Sequence, residues 1–172
     1  MRLTAFLEKD KDKDKHTLEQ ELDALELQLF RMQVSIKEIA KRSEIVSIDR
    51  TKFAHWVVIF VHRNDSLCRI MLHDCTKPWR GSWNAAIEME YRGEHTIHIA
   101  DIKGEENKGY GSVLMNYLQE MARRDNIQYI TGDIVKRDFD HLERLQHFYS
   151  KHNFNVDVDY ANECGRIVWN DR

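Results

Sequence analysis

Residues 104–115 read Gly104-Glu105-Glu106-Asn107-Lys108-Gly109-Tyr110-Gly111-Ser112-Val113-Leu114-Met115, and three of the chain's seven glycines fall in the first eight positions. Before this stretch, Glu94–Lys103 carries Ile97, Ile99 and Ile102 among polar neighbours and reads as a strand. After it, Ser112–Arg124 places Val113, Leu114, Tyr117, Leu118 and Met121 at three- and four-residue steps and ends on basic residues, which suit a helix C-terminus. A strand that runs into a glycine loop opening a helix is built to hold an anion. The first helical N–H groups lack intrahelical partners, the helix dipole favours negative charge there, and glycine lets the backbone approach closely. Two common phosphate templates fail on this stretch. The P-loop needs Lys and Ser/Thr where Tyr110 and Gly111 stand, and the dinucleotide fingerprint needs a third glycine where Leu114 stands.

Working outward, Ile127–Val135 reads as a strand, with Gly132 inside it marking a bulge or a close approach. A second helix is expected from Asp138 or Asp140 to about His152, with Leu142, Leu145, Phe148 and Tyr149 on one face. Phe154–Tyr160 and Gly165–Trp169 make a closing hairpin. Upstream, the pattern is strand-like from residue 44. Phe53–His62 and Leu67–His73 flank an Asn64-Asp65 turn, Lys77–Gly81 is a loop with the single proline, and Asn84–Arg92 joins Glu94–Lys103 across Gly93. His73-Asp74-Cys75 reads as a strand end. The order is helix, several strands, helix, strand, helix, two strands, which is an α/β (α+β) layer fold.

The first helix is expected over residues 17–42. Leu18, Leu22, Leu25, Leu29, Met32, Ile36 and Ile39 are spaced 4, 3, 4, 3, 4, 3, a heptad seam, and Thr17 with Gln20 fits a capping box. Leu27, Phe30 and Val34 widen the stripe. It either packs on its own domain or pairs with a second copy, giving a homodimer through residues 17–42. The chain divides into this segment, 1–43, and a domain over 44–172.

Composition sets the outer bounds. The 172 residues are 42% hydrophobic and 32% charged, which excludes a linker or a disordered chain. A net charge of −3 removes the basic bias of a general nucleic-acid binder. Cys68, Cys75 and Cys164 are odd in number and form no CxxC pair, so three reduced thiols in a cytoplasmic protein are expected. No apolar run is long enough to span a bilayer, and the apolar stretch in residues 1–8 is too short for a signal peptide. His95 and His98 are spaced wrongly for two strand side chains on one face, so no metal site is expected.

Glu106-Asn107-Lys108-Gly109-Tyr110-Gly111 between a strand and a helix resembles the [QR]-x-x-G-x-[GA] pyrophosphate loop of the GNAT superfamily of acyl-CoA-dependent N-acetyltransferases. Phe148-Tyr149-Ser150-Lys151-His152-Asn153-Phe154 resembles the F-Y-x-K-x-G-F tail that the family carries on its next helix, with Asn153 for the glycine. The resemblance covers residues 84–172 well and 44–83 loosely. Glu106 departs from the family's Gln or Arg, which puts an acidic side chain beside a pyrophosphate.

The resemblance implies a mixed, mostly antiparallel sheet flanked by helices, with a first strand and two short helices early in the domain. It implies acetyl-CoA as co-substrate, its pyrophosphate on the amides of Lys108, Gly109, Tyr110, Gly111 and Ser112 and its pantetheine along Ile97–Ile102. It implies transfer to a primary amine by direct attack, with Tyr149 as general acid to the leaving thiolate. The base is open among His98, Asp101 and Glu90. Strand alternation sets His98 opposite Ile97, Ile99 and Asp101. Trp56, Trp79 and Trp83 are candidates for lining a small-molecule or peptide amine pocket. Two rival readings remain: a catalytically degenerate acyl-CoA-binding domain marked by Glu106, and a coiled-coil interaction protein acting through its heptad helix.

Overall fold

Alternation along the strands gives one sheet two different faces, and each face recruits its own helices. The computed structural model describes residues 14–64 and 67–170. The reading of residues 1–8 and of Asp65 in the turn lies outside them. In chain order come α1 (Lys15–Ile39), β1 (Glu44–Arg50), β2 (Trp56–Asn64), β3 (Leu67–His73), β4 (Ala85–Tyr91), β5 (Thr96–Gly104), α2 (Tyr110–Arg124), β6 (Tyr129–Ile134), a 3₁₀ helix (Lys136–His141), α3 (Leu142–Lys151), β7 (Asn155–Asp159) and β8 (Cys164–Asn170). The eight strands form a single sheet in the order β1-β2-β3-β4-β5-β6-β8-β7. Neighbours are antiparallel except β5 and β6, which run parallel as their α2 crossover requires.

One face carries Val57, Ile59, Ile70, Leu72, Ile87, Met89, Ile97 and Ile99, covered by Leu114, Leu118 and Met121 of α2 and by Leu142 and Tyr149 of α3. The other face carries Val58, Phe60, Met71 and Ala86, covered by Met32, Ile36 and Ile39 of α1 and by Trp79 and Trp83 of the β3–β4 loop. The central residues of β2 and β3 are therefore buried on both faces, which is why those segments read as nearly unbroken apolar runs.

The N-terminal half departs from expectation in three ways. Asp14, not Thr17, caps α1: its carboxylate accepts from the Thr17 N–H at 2.7 Å. Only the C-terminal part of α1 packs on the sheet. Leu18, Leu22, Leu25, Leu27, Leu29 and Phe30 are all exposed. No helix separates the first strands: five residues, Thr51–His55, join β1 to β2, and β2 pairs with β3 up to Asn64 and Leu67. A single long helix before β1 stands where the resemblance implied two short ones after a first strand.

In the second half, the expected helix from Asp138 or Asp140 divides into a 3₁₀ turn followed by α3. Asp138 accepts from the Val135 N–H at 2.9 Å, so it holds the turn and does not start the α-helix. Asn153 takes the left-handed conformation (φ 61°) that the family tail assigns to glycine.

Candidate functional site

The site begins where two strands stop pairing. β5 and β6 are in register from Thr96 with Tyr129 to Ile99 with Gly132, yet β5 continues to Gly104 and β6 to Ile134. The cause lies on the other side of β5. Met89 pairs with Ile99 while Glu88 pairs with Asp101, so Ala100 is an extra residue, a β-bulge that turns the strand. Gly132 permits the close approach below the split. A Cβ there would lie 2.9 Å from Ile167 Cδ1 and 3.3 Å from the Ile99 carbonyl. Above it opens a cleft of about 740 Å³, with Ile102, Gly104, Asp133 and Tyr149 in its walls, within the ordinary range for ligand sites.

One end of the cleft is the glycine loop. Gly109 is the N-cap of α2 in the left-handed conformation (φ 81°), and no side chain caps the helix. The N–H groups of Tyr110, Gly111 and Ser112 are first-turn donors without helical partners, since the ladder starts with Val113 N–H to the Gly109 carbonyl. Gly109, Gly111 and Ser112 line the cleft. The other two expected donors present no side chain to it: Lys108 is exposed and outside the lining, and Tyr110 is turned away, donating its hydroxyl to Asp74 Oδ2 at 2.6 Å. Burial pushes Asp74 up, but the bonds from Tyr110 and Thr76 hold it below the usual carboxylate range, while burial and Asp74 push the Tyr110 phenol well up.

Cations missed in the sequence surround this end. Lys52, from the β1–β2 loop, lies against Gly109, and Arg137, Arg144 and Lys151 are also in the lining. Glu106, the departure from the family pattern, is ion-paired with Arg144 of α3, so its charge is met by a guanidinium. Ser112 Oγ is bonded by Lys151 at 3.3 Å and lies 3.1 Å from His152 Nε2, which fastens α3 to the start of α2.

Tyr149 forms the inner wall. Its ring packs against Phe148 and Phe154, each with centroids 5.3 Å away. Burial first, then the carboxylates of Asp138 and Asp101, push its phenol far above the ordinary value, so it keeps its proton.

The bulge also corrects the expected side-chain directions. His98 pairs with Glu90 and Asp101 with Glu88, so His98 and Asp101 share a face. Glu90 is held by Arg92 at 2.5 Å and Asp101 by Lys103 at 3.2 Å. His98 is the buried member, and desolvation first, then Arg92, lower its pKa, leaving it neutral near pH 7. Its Nδ1 lies 3.0 Å from Thr131 Oγ1, and that hydroxyl donates to the Ile97 carbonyl at 3.4 Å. His98 Nε2 lies 3.6 Å from Asp133 Oδ2.

The tryptophans do not line this cleft. Trp79 and Trp83 fill the second core, Trp79 edge-on to Phe60 and His73, and Trp56 lies beneath Arg50. Among the described residues no group of three or more His, Cys, Asp or Glu could hold a metal ion, and no helix is long and apolar enough to cross a membrane.

No model of a described protein family matches the chain. It is 42% identical over 161 residues to the protein described as Uncharacterized protein YocC of Bacillus subtilis (strain 168), covering 94% of this chain and 97% of that one. The chain belongs to the YocC family. The sheet and its helices superpose on a cAMP-binding acyltransferase from Mycobacterium smegmatis with a TM-score of 0.55 at 8% identity, over 79% of this chain and 51% of that one. This YocC relative thus spans about half the length of that acyltransferase. Ard1 from Thermoplasma volcanium aligns over 60% of this chain and 70% of its own, with a TM-score of 0.47 and 18% identity. The fold is GNAT-like, a mixed, mostly antiparallel sheet split between its two parallel strands.

Proposed function

We propose that this YocC-family chain is a cytoplasmic N-acyltransferase that moves an acetyl group from acetyl-CoA to a primary amine of a small molecule or peptide. One observation carries the reading. One cleft is lined both by free helix-start amides and by a buried, protonated tyrosine, and a neutral histidine lies outside its lining on the adjoining strand β5.

The amides of Tyr110, Gly111 and Ser112, with Lys52 and Lys151 nearby, suit the pyrophosphate. The edge of β5 past Ala100, freed from β6, offers backbone groups around Ile102 to the pantetheine amides. His98 Nε2 takes the proton from the acceptor ammonium. The amine nitrogen bonds to the thioester carbonyl carbon and the C–S bond breaks. Tyr149 gives its proton to the departing thiolate and regains one from the nitrogen as the amide forms, so no acyl-enzyme is needed. His98 is favoured over Asp101 and Glu90 because each carboxylate is already paired with a cation.

Isothermal titration with acetyl-CoA, followed by thiol release over an amine panel, tests the proposal. Saturable binding with amine-dependent thiol release is expected. No binding at millimolar ligand sinks the donor assignment. Binding without release over the panel supports the degenerate, acyl-CoA-binding reading.

A further inference from the structure

A helix start that keeps its N–H groups free for an anion cannot spend them on a side-chain cap, so its first turn must be held from elsewhere. Gly109, the N-cap of α2, is left-handed, and no side chain caps the helix. Glycine is also the residue least able to hold one conformation by itself. The next residue supplies the hold. Tyr110, the first residue of α2, is buried, and its hydroxyl donates to Asp74 Oδ2 at 2.6 Å.

Asp74 is fixed in turn. It stands in the His73-Asp74-Cys75 strand end, is buried, and its other oxygen accepts from the Thr76 N–H at 3.0 Å and the Thr76 hydroxyl at 2.9 Å. Its own N–H donates to Asn84 Oδ1 at 3.0 Å, and Asn84 Nδ2 donates to Glu105 Oε1 at 3.0 Å. The Glu105 N–H donates back to the Asn84 carbonyl at 3.2 Å. The β3–β4 loop thus grips the glycine loop at both ends, at Glu105 through Asn84 and at Tyr110 through Asp74. α1 braces that loop: Arg31 donates to the Thr76 carbonyl at 3.0 Å, and the Trp79 N–H donates to Ser35 Oγ at 3.1 Å. We infer that Asp74 is a positioning residue for the acyl donor: through the Tyr110 hydroxyl it sets the first turn of α2, so that the amides of Tyr110, Gly111 and Ser112 are aligned before acetyl-CoA arrives. Order fixed in advance lowers the cost of binding. The inference rests on the reading of this loop as the pyrophosphate site.

Charge and geometry make opposite predictions. A buried carboxylate near an anion site repels the anion, so charge alone has Asp74→Asn bind acetyl-CoA more tightly, whereas loss of the hold weakens binding. Titration calorimetry with acetyl-CoA, at a temperature where each variant keeps its native circular dichroism, reads the sign. Tyr110→Phe keeps the buried ring and removes the bond to Asp74, and an affinity about tenfold lower is expected. Asp74→Asn should lose a similar factor, and adding it to Tyr110→Phe should cost little more, because both act through one bond. Where Asp74→Asn does not fold, Tyr110→Phe alone decides. Nuclear magnetic resonance separates positioning from general loosening. At saturating acetyl-CoA, the backbone amide shifts of Gly111 and Ser112 should shrink in Tyr110→Phe while that of Ile102 on β5 is kept. Unchanged affinity in Tyr110→Phe, tighter binding by Asp74→Asn, additive losses, or an equal change at Ile102 overturns the inference. A wild-type chain that binds no acetyl-CoA removes the donor assignment and this inference together. A wild-type chain that binds it, with variants that bind it equally well, removes this inference alone.

Discussion

His98 Nδ1 lies 3.0 Å from the Thr131 hydroxyl, across the parallel pairing that ends one residue later at Ile99 and Gly132. This side-chain bond between neighbouring strands holds the imidazole ring in place. His98→Gln is expected to lower kcat on an amine substrate by about 10²-fold or more, as loss of a general base does. Thr131→Val removes the hydroxyl that holds the ring at Nδ1, and a drop of roughly tenfold is expected with unchanged acetyl-CoA affinity. Steady-state kinetics with both variants checks this. An unchanged kcat in His98→Gln removes the base assignment.

The pH profile follows from the same histidine. Its pKa is lowered by burial, so kcat/KM should rise with pH through a value below about 6.5 and level off above it. The acidic limb should disappear in His98→Gln.

Tyr149→Phe keeps the ring that packs on Phe148 and Phe154 and removes the proton donor. The expected result is a fall in kcat of about 10–10²-fold at nearly constant KM. The fall should shrink with a thioester whose thiol is more acidic. Equal losses for both leaving groups would point to packing instead.

Arg144 masks Glu106 at the glycine-loop end of the cleft. Arg144→Ala exposes the carboxylate and should weaken acetyl-CoA binding severalfold, a modest effect because both side chains are more than half exposed. Adding Glu106→Gln to Arg144→Ala should restore most of the affinity. Titration calorimetry on the two variants separates repulsion by Glu106 from loss of a phosphate contact by Arg144.

Stability should fall on the acidic side for a related reason. His73, His98 and His152 are buried neutral with lowered pKa values, His152 at about 4. The unfolded chain takes up these protons first as pH drops below about 6.5. The stabilisation is therefore complete above that value and is lost progressively down to the folded pKa values. Urea midpoints measured above and below pH 6.5 should show the loss, and His152→Gln should reduce it.

The recurrence of apolar residues, the glycine loop and the tail Phe148–Phe154 made the second half of the fold legible, because strand and helix periods are local properties of the chain. Tyr149, Gly109, Gly111 and Ser112 were readable for the same reason: each belongs to a contiguous motif. The direction of Asp101 was not, since the bulge at Ala100 depends on how β4 and β5 pair. The placing of Trp79 and Trp83 in a second core was hidden as well, because it requires α1 to lie on the far face of the sheet.

By itself the sequence determined the element order, the glycine loop that opens a helix and the tyrosine on the helix that follows it. Tertiary structure decided what surrounds them. Lys52 reaches Gly109 from 57 positions earlier in the chain, Arg144 pairs with Glu106, and Thr131 meets the ring of His98. These are contacts between residues far apart in the chain, and only the pairing of strands and the packing of helices on the sheet bring them within reach.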